Sequence, residues 1–170
     1  DEPIPGPWES CFTLGTQWQF KPTNEQYKSG TQLIEMLIET RAKGGNLLIN
    51  VGPAPDGAIP WEQDRTLREL GLWNFINGEA VYDIVPWHVI REGDIWFTKA
   101  RETETVYAFV TKTPWLYRER KNVTVESVRA TADTDVEVLG QSGDVLEYQP
   151  DVLPRAEWRQ VEGWLTINAT

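Results

Sequence analysis

The spacing of apolar residues changes about halfway along the chain. In WESCFTL (8–14) polar and apolar side chains alternate, with Glu9, Cys11 and Thr13 on one face and Trp8, Phe12 and Leu14 on the other, which predicts a short strand. The proline-rich DEPIPGP (1–7) before it suits only a loop. Ser29 and Gln32 stand at capping-box spacing and open a predicted helix running to about Lys43. Leu33, Ile34, Leu37 and Ile38 form its apolar stripe, and Gly44-Gly45 ends it. NLLINV (46–51) predicts a second strand, with Leu47, Ile49 and Val51 on one face and Asn46, Leu48 and Asn50 on the other. After the loop GPAPDGAI, Pro60 is expected as the first residue of a helix to about Asn77, capped by Gly78, with Leu67, Leu70, Trp73 and Ile76 near one side.

Strand, helix, strand, helix with short connections predicts βα units and a parallel sheet. Two units cannot close such a sheet, so the remainder is expected upstream of Asp1. From about Pro86 the helical period disappears. DIWFT (94–98), TVYAFVT (105–111), VTVESV (123–128), VEVL (136–139), VLEY (145–148) and WLTI (164–167) are short β-type runs between Gly, Asp and Pro clusters. Such spacing predicts an antiparallel β-sandwich. The expected fold class is therefore α/β plus all-β: the last βα units of a (β/α) barrel in residues 1–86, then a sandwich in 87–170.

Charge narrows the function classes. The chain has 170 residues, Lys+Arg 16 against Asp+Glu 26 and a net charge of −10. With no clustered Lys or Arg, nucleic acid is not an expected partner. No apolar run approaches the roughly 20 residues that span a bilayer, so no membrane partner is expected either. The single Cys11 forms no internal disulfide and no zinc site, and neither a metal nor a cofactor is expected. The opening at Asp1, without Met or signal peptide, reads as a fragment or a processed product. Among the aromatics are 9 Trp. Flat rings with a polar edge suit ligands that are half apolar and half hydroxylated, as sugars are, and they equally suit the core of a β domain.

The order WESCFT, TQWQF, KGGNLLINVGPAPDG and NGEAVYDIVPW resembles the α-L-fucosidase family of glycoside hydrolases. That family carries W-E-x-C, then W-G-Y or F-G-Y, then G-G-N-L-L-L-N-V-G-P-x-x-D-G and N-G-E-A-I-Y-x-T-x-P-W. The resemblance spans about residues 8–87, GGNLLINVGP being its most specific stretch, and Gln19-Phe20 depart from the family's Gly-Tyr. It implies a retaining exo-enzyme that removes terminal α-L-fucose from glycans, with an Asp nucleophile and a second carboxylate about 5 Å apart. No residue here matches the family's nucleophile, and the acid/base loop is missing too. Both are expected upstream of Asp1, and the fragment is expected to be inactive alone. The implied partners are a fucosylated glycan substrate and the upstream part of the same enzyme, in a secreted, periplasmic or lysosomal setting.

Three residues are the candidates for substrate binding. Trp18 follows the first strand, on the side where (β/α) barrels build their sites, and can stack on fucose or simply anchor its loop. Glu9 faces the expected barrel interior, as a hydrogen-bonding group for sugar or neighbours or as a structural carboxylate paired with an arginine. Asn50 ends the second strand, either near the site or as a turn-capping amide. Asp56-Gly57 is read as a turn, His88 as structural, and Glu2 as too close to Trp8-Glu9 for the acid/base. Asn122-Val123-Thr124 and Asn168-Ala169-Thr170 fit the glycosylation pattern. The competing readings are a non-catalytic carbohydrate-binding β-sandwich and a retaining barrel glycosidase of other sugar preference.

Overall fold

The computed structural model describes residues 2–116, 119–141 and 155–169. The chain divides into two compact units, 1–91 with 95–109, and 92–94 with 110–170.

The first unit opens with β1 (Glu9–Thr13), α1 (Gly30–Ala42), β2 (Asn46–Asn50) and α2 (Trp61–Asn77). β1 and β2 pair in parallel, Glu9 opposite Asn46 and Thr13 opposite Asn50, with α1 as the crossover. Local chemistry sets the bounds of α1. Gln32 N–H donates to Ser29 Oγ at 3.2 Å, and Ser29 N–H donates back to Gln32 Oε1 at 2.9 Å. This is the predicted capping box. At the other end Gly44 takes φ +90°, a left-handed turn that glycine adopts without strain. Leu33, Leu37 and Ile38 of the predicted stripe are buried and Ala42 joins them, whereas Ile34 is only partly covered.

α2 differs from expectation in two respects. It begins one residue later, with Pro60 as its N-cap. Its fully buried positions are Gln63 and Thr66, whereas Leu72, Ile76 and Phe75 lie in solvent, Phe75 at 88% exposure. On its covered face Gln63 clasps the backbone of Gly52, while the Thr66 hydroxyl is satisfied within the helix, Oγ1 donating to the Glu62 carbonyl at 2.9 Å. After the short turn 78–80 a three-stranded sheet follows in the order β3 (Ile84–Glu92), β4 (Ile95–Ala100), β5 (Val106–Val110). β3 runs through position 86/87, where the pattern suggests the change of architecture. Its buried residues Ile84, Trp87 and Ile90 recur every three residues, so it lacks the alternation that announces a strand. Trp87 packs on Phe97 with ring centroids 5.2 Å apart.

The second unit carries a sheet in the order β6 (Lys121–Val125), β8 (Trp164–Ala169), β7 (Glu157–Val161), antiparallel throughout. Val125 and Leu165 lie opposite one another and are buried. The run VTVESV is a strand only to Val125. The amides of Glu126 and Ser127 donate to the Glu92 carboxylate at 2.8 and 2.7 Å, so they leave the ladder. The run VEVL (136–139) is not a strand. Val136 N–H donates to Asp135 Oδ1 and Gln141 N–H to the Val138 carbonyl, local bonds that displace strand pairing. VLEY (145–148) lies outside the described residues.

Candidate functional site

In parallel sheets joined by helical crossovers, functional groups gather beyond the carboxyl ends of the strands. For β1 and β2 that place is filled by the segment following Thr13 and by the turn following Asn50. The two are tied directly, since Leu14 N–H donates to the Asn50 carbonyl at 3.0 Å.

The segment after β1 is long, but its own side chains fix it. Glu25 accepts from Thr16 N–H at 2.9 Å, Thr16 Oγ1 at 2.8 Å and Gln26 N–H at 2.9 Å. These bonds, with Lys21 nearby, hold the Glu25 carboxyl below its ordinary range, the Thr16 amide contributing most. Lys28 Nζ donates to the Thr13 carbonyl at 2.6 Å, and Lys28 N–H to the Leu14 carbonyl at 2.9 Å, which returns the chain to the strand end.

Gly52 brings this segment against β2. A Cβ at Gly52 would stand 2.9 Å from Gln19 C and Phe20 N, so the backbone of 19–20 lies where any larger residue would project. From the other side Gln63 Oε1 accepts from Gly52 N–H at 2.9 Å, and Gln63 Nε2 donates to the Gly52 carbonyl at 3.1 Å and to Tyr27 Oη at 3.3 Å. Trp18, one residue before this contact, is 58% exposed. Asn50, two residues before Gly52, has a side-chain Oδ1 that is shut from solvent and has no hydrogen-bond partner. A buried acceptor left unpaired costs about 1–3 kcal/mol, so this oxygen is an open demand for a donor.

The structure thus brings Trp18 and Asn50 to the same end of the parallel pair. Glu9 begins β1, at the opposite end of that strand, and is exposed on the face it shares with Cys11 and Thr13. Asp56 Oδ1 accepts from Ala58 N–H at 3.0 Å and Gly57 takes φ +85°, a turn as expected. His88 is exposed within β3, its ring 4.2 Å from that of Trp87, and Glu2 is exposed near the chain start. Asn122 and Asn168 face each other across β6 and β8, Asn168 Nδ2 donating to Asn122 Oδ1 at 2.8 Å. Gln63 and Gly52 escaped the sequence reading. A glutamine inside a helix carries no signal of its own, although GGNLLINVGP contains Gly52 itself. Among the described residues no group of His, Cys, Asp or Glu has the arrangement of a metal site.

Comparison with known proteins gives this arrangement a context. The sequence model of the α-L-fucosidase family matches residues 1–79. Plasma alpha-L-fucosidase of Rattus norvegicus is 34% identical over 143 residues, 81% of this chain and 30% of that protein. The alpha-L-fucosidase of Dictyostelium discoideum is 38% identical over 110 residues, 63% of this chain and 24% of that protein. A Thermotoga maritima alpha-fucosidase solved in complex with fucose superposes with a TM-score of 0.76 at 26% identity, covering 99% of this chain and 37% of that one. The fold is that of part of a glycoside hydrolase. More narrowly, the chain belongs to the α-L-fucosidase family. It spans about 30% of the length of the rat relative.

Proposed function

We propose that residues 1–86 contribute the last βα units of a fucosidase barrel, that residues 87–170 form its sandwich, and that the enzyme is a retaining exo-α-L-fucosidase acting on fucosylated glycans. The nucleophile and the acid/base belong to an upstream part of the same enzyme, and the fragment alone is inactive. The length of the relatives, more than three times the matched part, supports this division of labour. Relatives named as plasma enzymes favour a secreted or lysosomal setting over a periplasmic one.

The observation that carries this reading is the pairing of exposed Trp18 with unsatisfied Asn50 at the carboxyl ends of two parallel strands. The ring offers an apolar face for the sugar's carbon skeleton and methyl group, and Asn50, at the same strand ends, still lacks a donor for its enclosed Oδ1. Replacing Trp18 by Ala in the intact enzyme should weaken a fucose-like inhibitor about tenfold, a stacking loss of ~1–3 kcal/mol. An unchanged inhibition constant in a folded variant makes Trp18 a loop anchor and removes the observation's force.

Glu9 is assigned a hydrogen-bonding role that orients neighbouring groups and not proton transfer. A general acid must reach the glycosidic oxygen on the leaving-group side, and Glu9 starts its strand at the end away from the Trp18 segment. The assay is Glu9→Gln in the intact enzyme, on substrates with good and poor leaving groups, with and without azide. Equal losses on both substrates without azide rescue are expected. Formation of fucosyl azide makes Glu9 the acid/base instead.

A further inference from the structure

The outward face of the sheet in the second unit carries a feature that the fucosidase reading does not use. Neighbouring strands there align Thr124 opposite Thr166 and Thr166 opposite Arg159 in one row. Beside this row, Trp164 and Val161 face each other where the β7–β8 hairpin closes, and both are half in solvent, Trp164 at 51%. With Glu162 these side chains line a hollow of about 330 Å³. That volume lies at the lower end of the roughly 300–1,000 Å³ of small-ligand pockets.

The hollow rests on a rigid support. Glu162 and Gly163 take φ 50° and 90°, the two positive values of a type I′ turn, whose twist matches that of the strands it joins. The Arg129 guanidinium donates to the Gly163 carbonyl and to the Glu126 carbonyl, tying the turn to the segment after β6. Trp164 therefore leaves a turn held from both sides. Among the described residues Arg159 is unlike the other cations: its guanidinium has no ion pair and no hydrogen bond.

We infer that this face is a second carbohydrate-binding surface, one that takes a neutral pyranose unit of a glycan. The side chains match what such a ring presents. An aromatic face covers its C–H groups. A free guanidinium donates to hydroxyl oxygens, the Glu162 carboxylate accepts from hydroxyl protons, and two threonine hydroxyls do either. Within the hollow Arg159 and Glu162 cancel in charge, and Glu157 on the same face stands 3.9 Å from Arg120, so no net positive charge is left for an anion and the patch selects a hydroxylated neutral ligand. A solvated outer face of a sheet, built only for solubility, gains nothing from a half-exposed tryptophan pinned beside an unpaired arginine. The inference rests on the fucosidase reading in one respect: it is what makes a glycan the occupant to expect.

The test uses the intact protein on an array of neutral glycans that lack fucose, so that a fucose-specific active site contributes nothing, followed by calorimetry on the best binder. The protein should bind at least one of them. Trp164→Ala should weaken that binding about tenfold or more, Trp164→Phe should largely restore it, and Arg159→Ala should weaken it to a smaller degree. Hydrolysis of a small aryl fucoside should be the same in all three variants. Absence of binding to every neutral glycan, or binding that Trp164→Ala leaves intact, overturns the inference. A sialylated or sulfated glycan that binds more tightly than its neutral parent overturns the stated selectivity. A protein that binds glycans through Trp164 yet cleaves no fucoside refutes the fucosidase reading alone, so the two failures are distinguishable.

Discussion

The chain contains two sheets with one face largely open, and the faces are built differently. On the parallel pair β1–β2, Leu48 is 42% exposed and shares its face with Glu9, Cys11, Thr13 and Asn50. On the antiparallel sheet β6–β8–β7 the outer residues are Asn122, Thr124, Glu157, Arg159, Thr166 and Asn168, with Trp164 and Val161 at one end. The first face mixes a large aliphatic side chain with an unsatisfied amide and a carboxylate. The second is a row of hydroxyls, amides and charge, with apolar residues confined to one corner. Exposure alone does not separate a surface awaiting cover from a surface made for water, but the kind of side chain does.

The comparison breaks first where each sheet is covered. Leu165 is 3% exposed on the inner face of the antiparallel sheet, and Leu165→Ala should cost about 2–5 kcal/mol, read as a lower denaturation midpoint. A loss well below 1 kcal/mol would mean that the second unit has no packed core behind β8. The covered side of the parallel pair is tested by Gly45→Ala. A Cβ there would stand 2.5 Å from Cε2 and Cζ2 of Trp8, so the indole must shift, at about 1–3 kcal/mol. On the open side of the same pair, Leu48→Ser should change the stability of the chain by no more than about 0.5 kcal/mol, while lowering its self-association in light scattering. In the intact enzyme the same substitution should be costly. Equal effects in both settings would make Leu48 an ordinary surface residue.

What the sequence disclosed follows the same division. The first two strands and both helices could be read because their signals are local: Ser29 and Gln32 at capping distance, Gly44 after the last turn, alternation within WESCFTL. The antiparallel strands are hidden where their apolar residues fail to mark the covered face, even when the partner strand follows directly. In β7 the covered face holds Gln160 beside Trp158 while Val161 points to solvent, so the apolar pattern conceals the strand. In VEVL the pattern is that of a strand, yet Asp135 captures the amide that pairing would need. For the site, Trp18 and Asn50 could be named from their positions after strands. The clasp of Gln63 on Gly52 could not, because nothing in a helix sequence announces that an amide will turn inward to satisfy a distant backbone.

The smallest effect concerns the segment that carries Trp18, and it is electrostatic. Glu25 organises residues 15–28 as an ionised acceptor of three hydrogen bonds, and its folded pKa lies below the ordinary carboxylate value. The sign follows from linkage: a carboxyl whose pKa is depressed by folding contributes stability above its unfolded pKa and loses it as pH falls through the folded value. At neutral pH the segment should be ordered, and acidification below the ordinary range of glutamate should release it. Because the group is accessible to solvent, the effect is modest and weakens with salt. The Thr16 amide, which donates to the carboxylate, is the direct reporter. Its NMR shift should titrate with a midpoint below that of an unperturbed glutamate, and Glu25→Gln should abolish the titration while largely keeping the bond to Thr16. A midpoint at or above the ordinary value would mean that the segment is held by its backbone contacts with Gly52 and Leu14 alone.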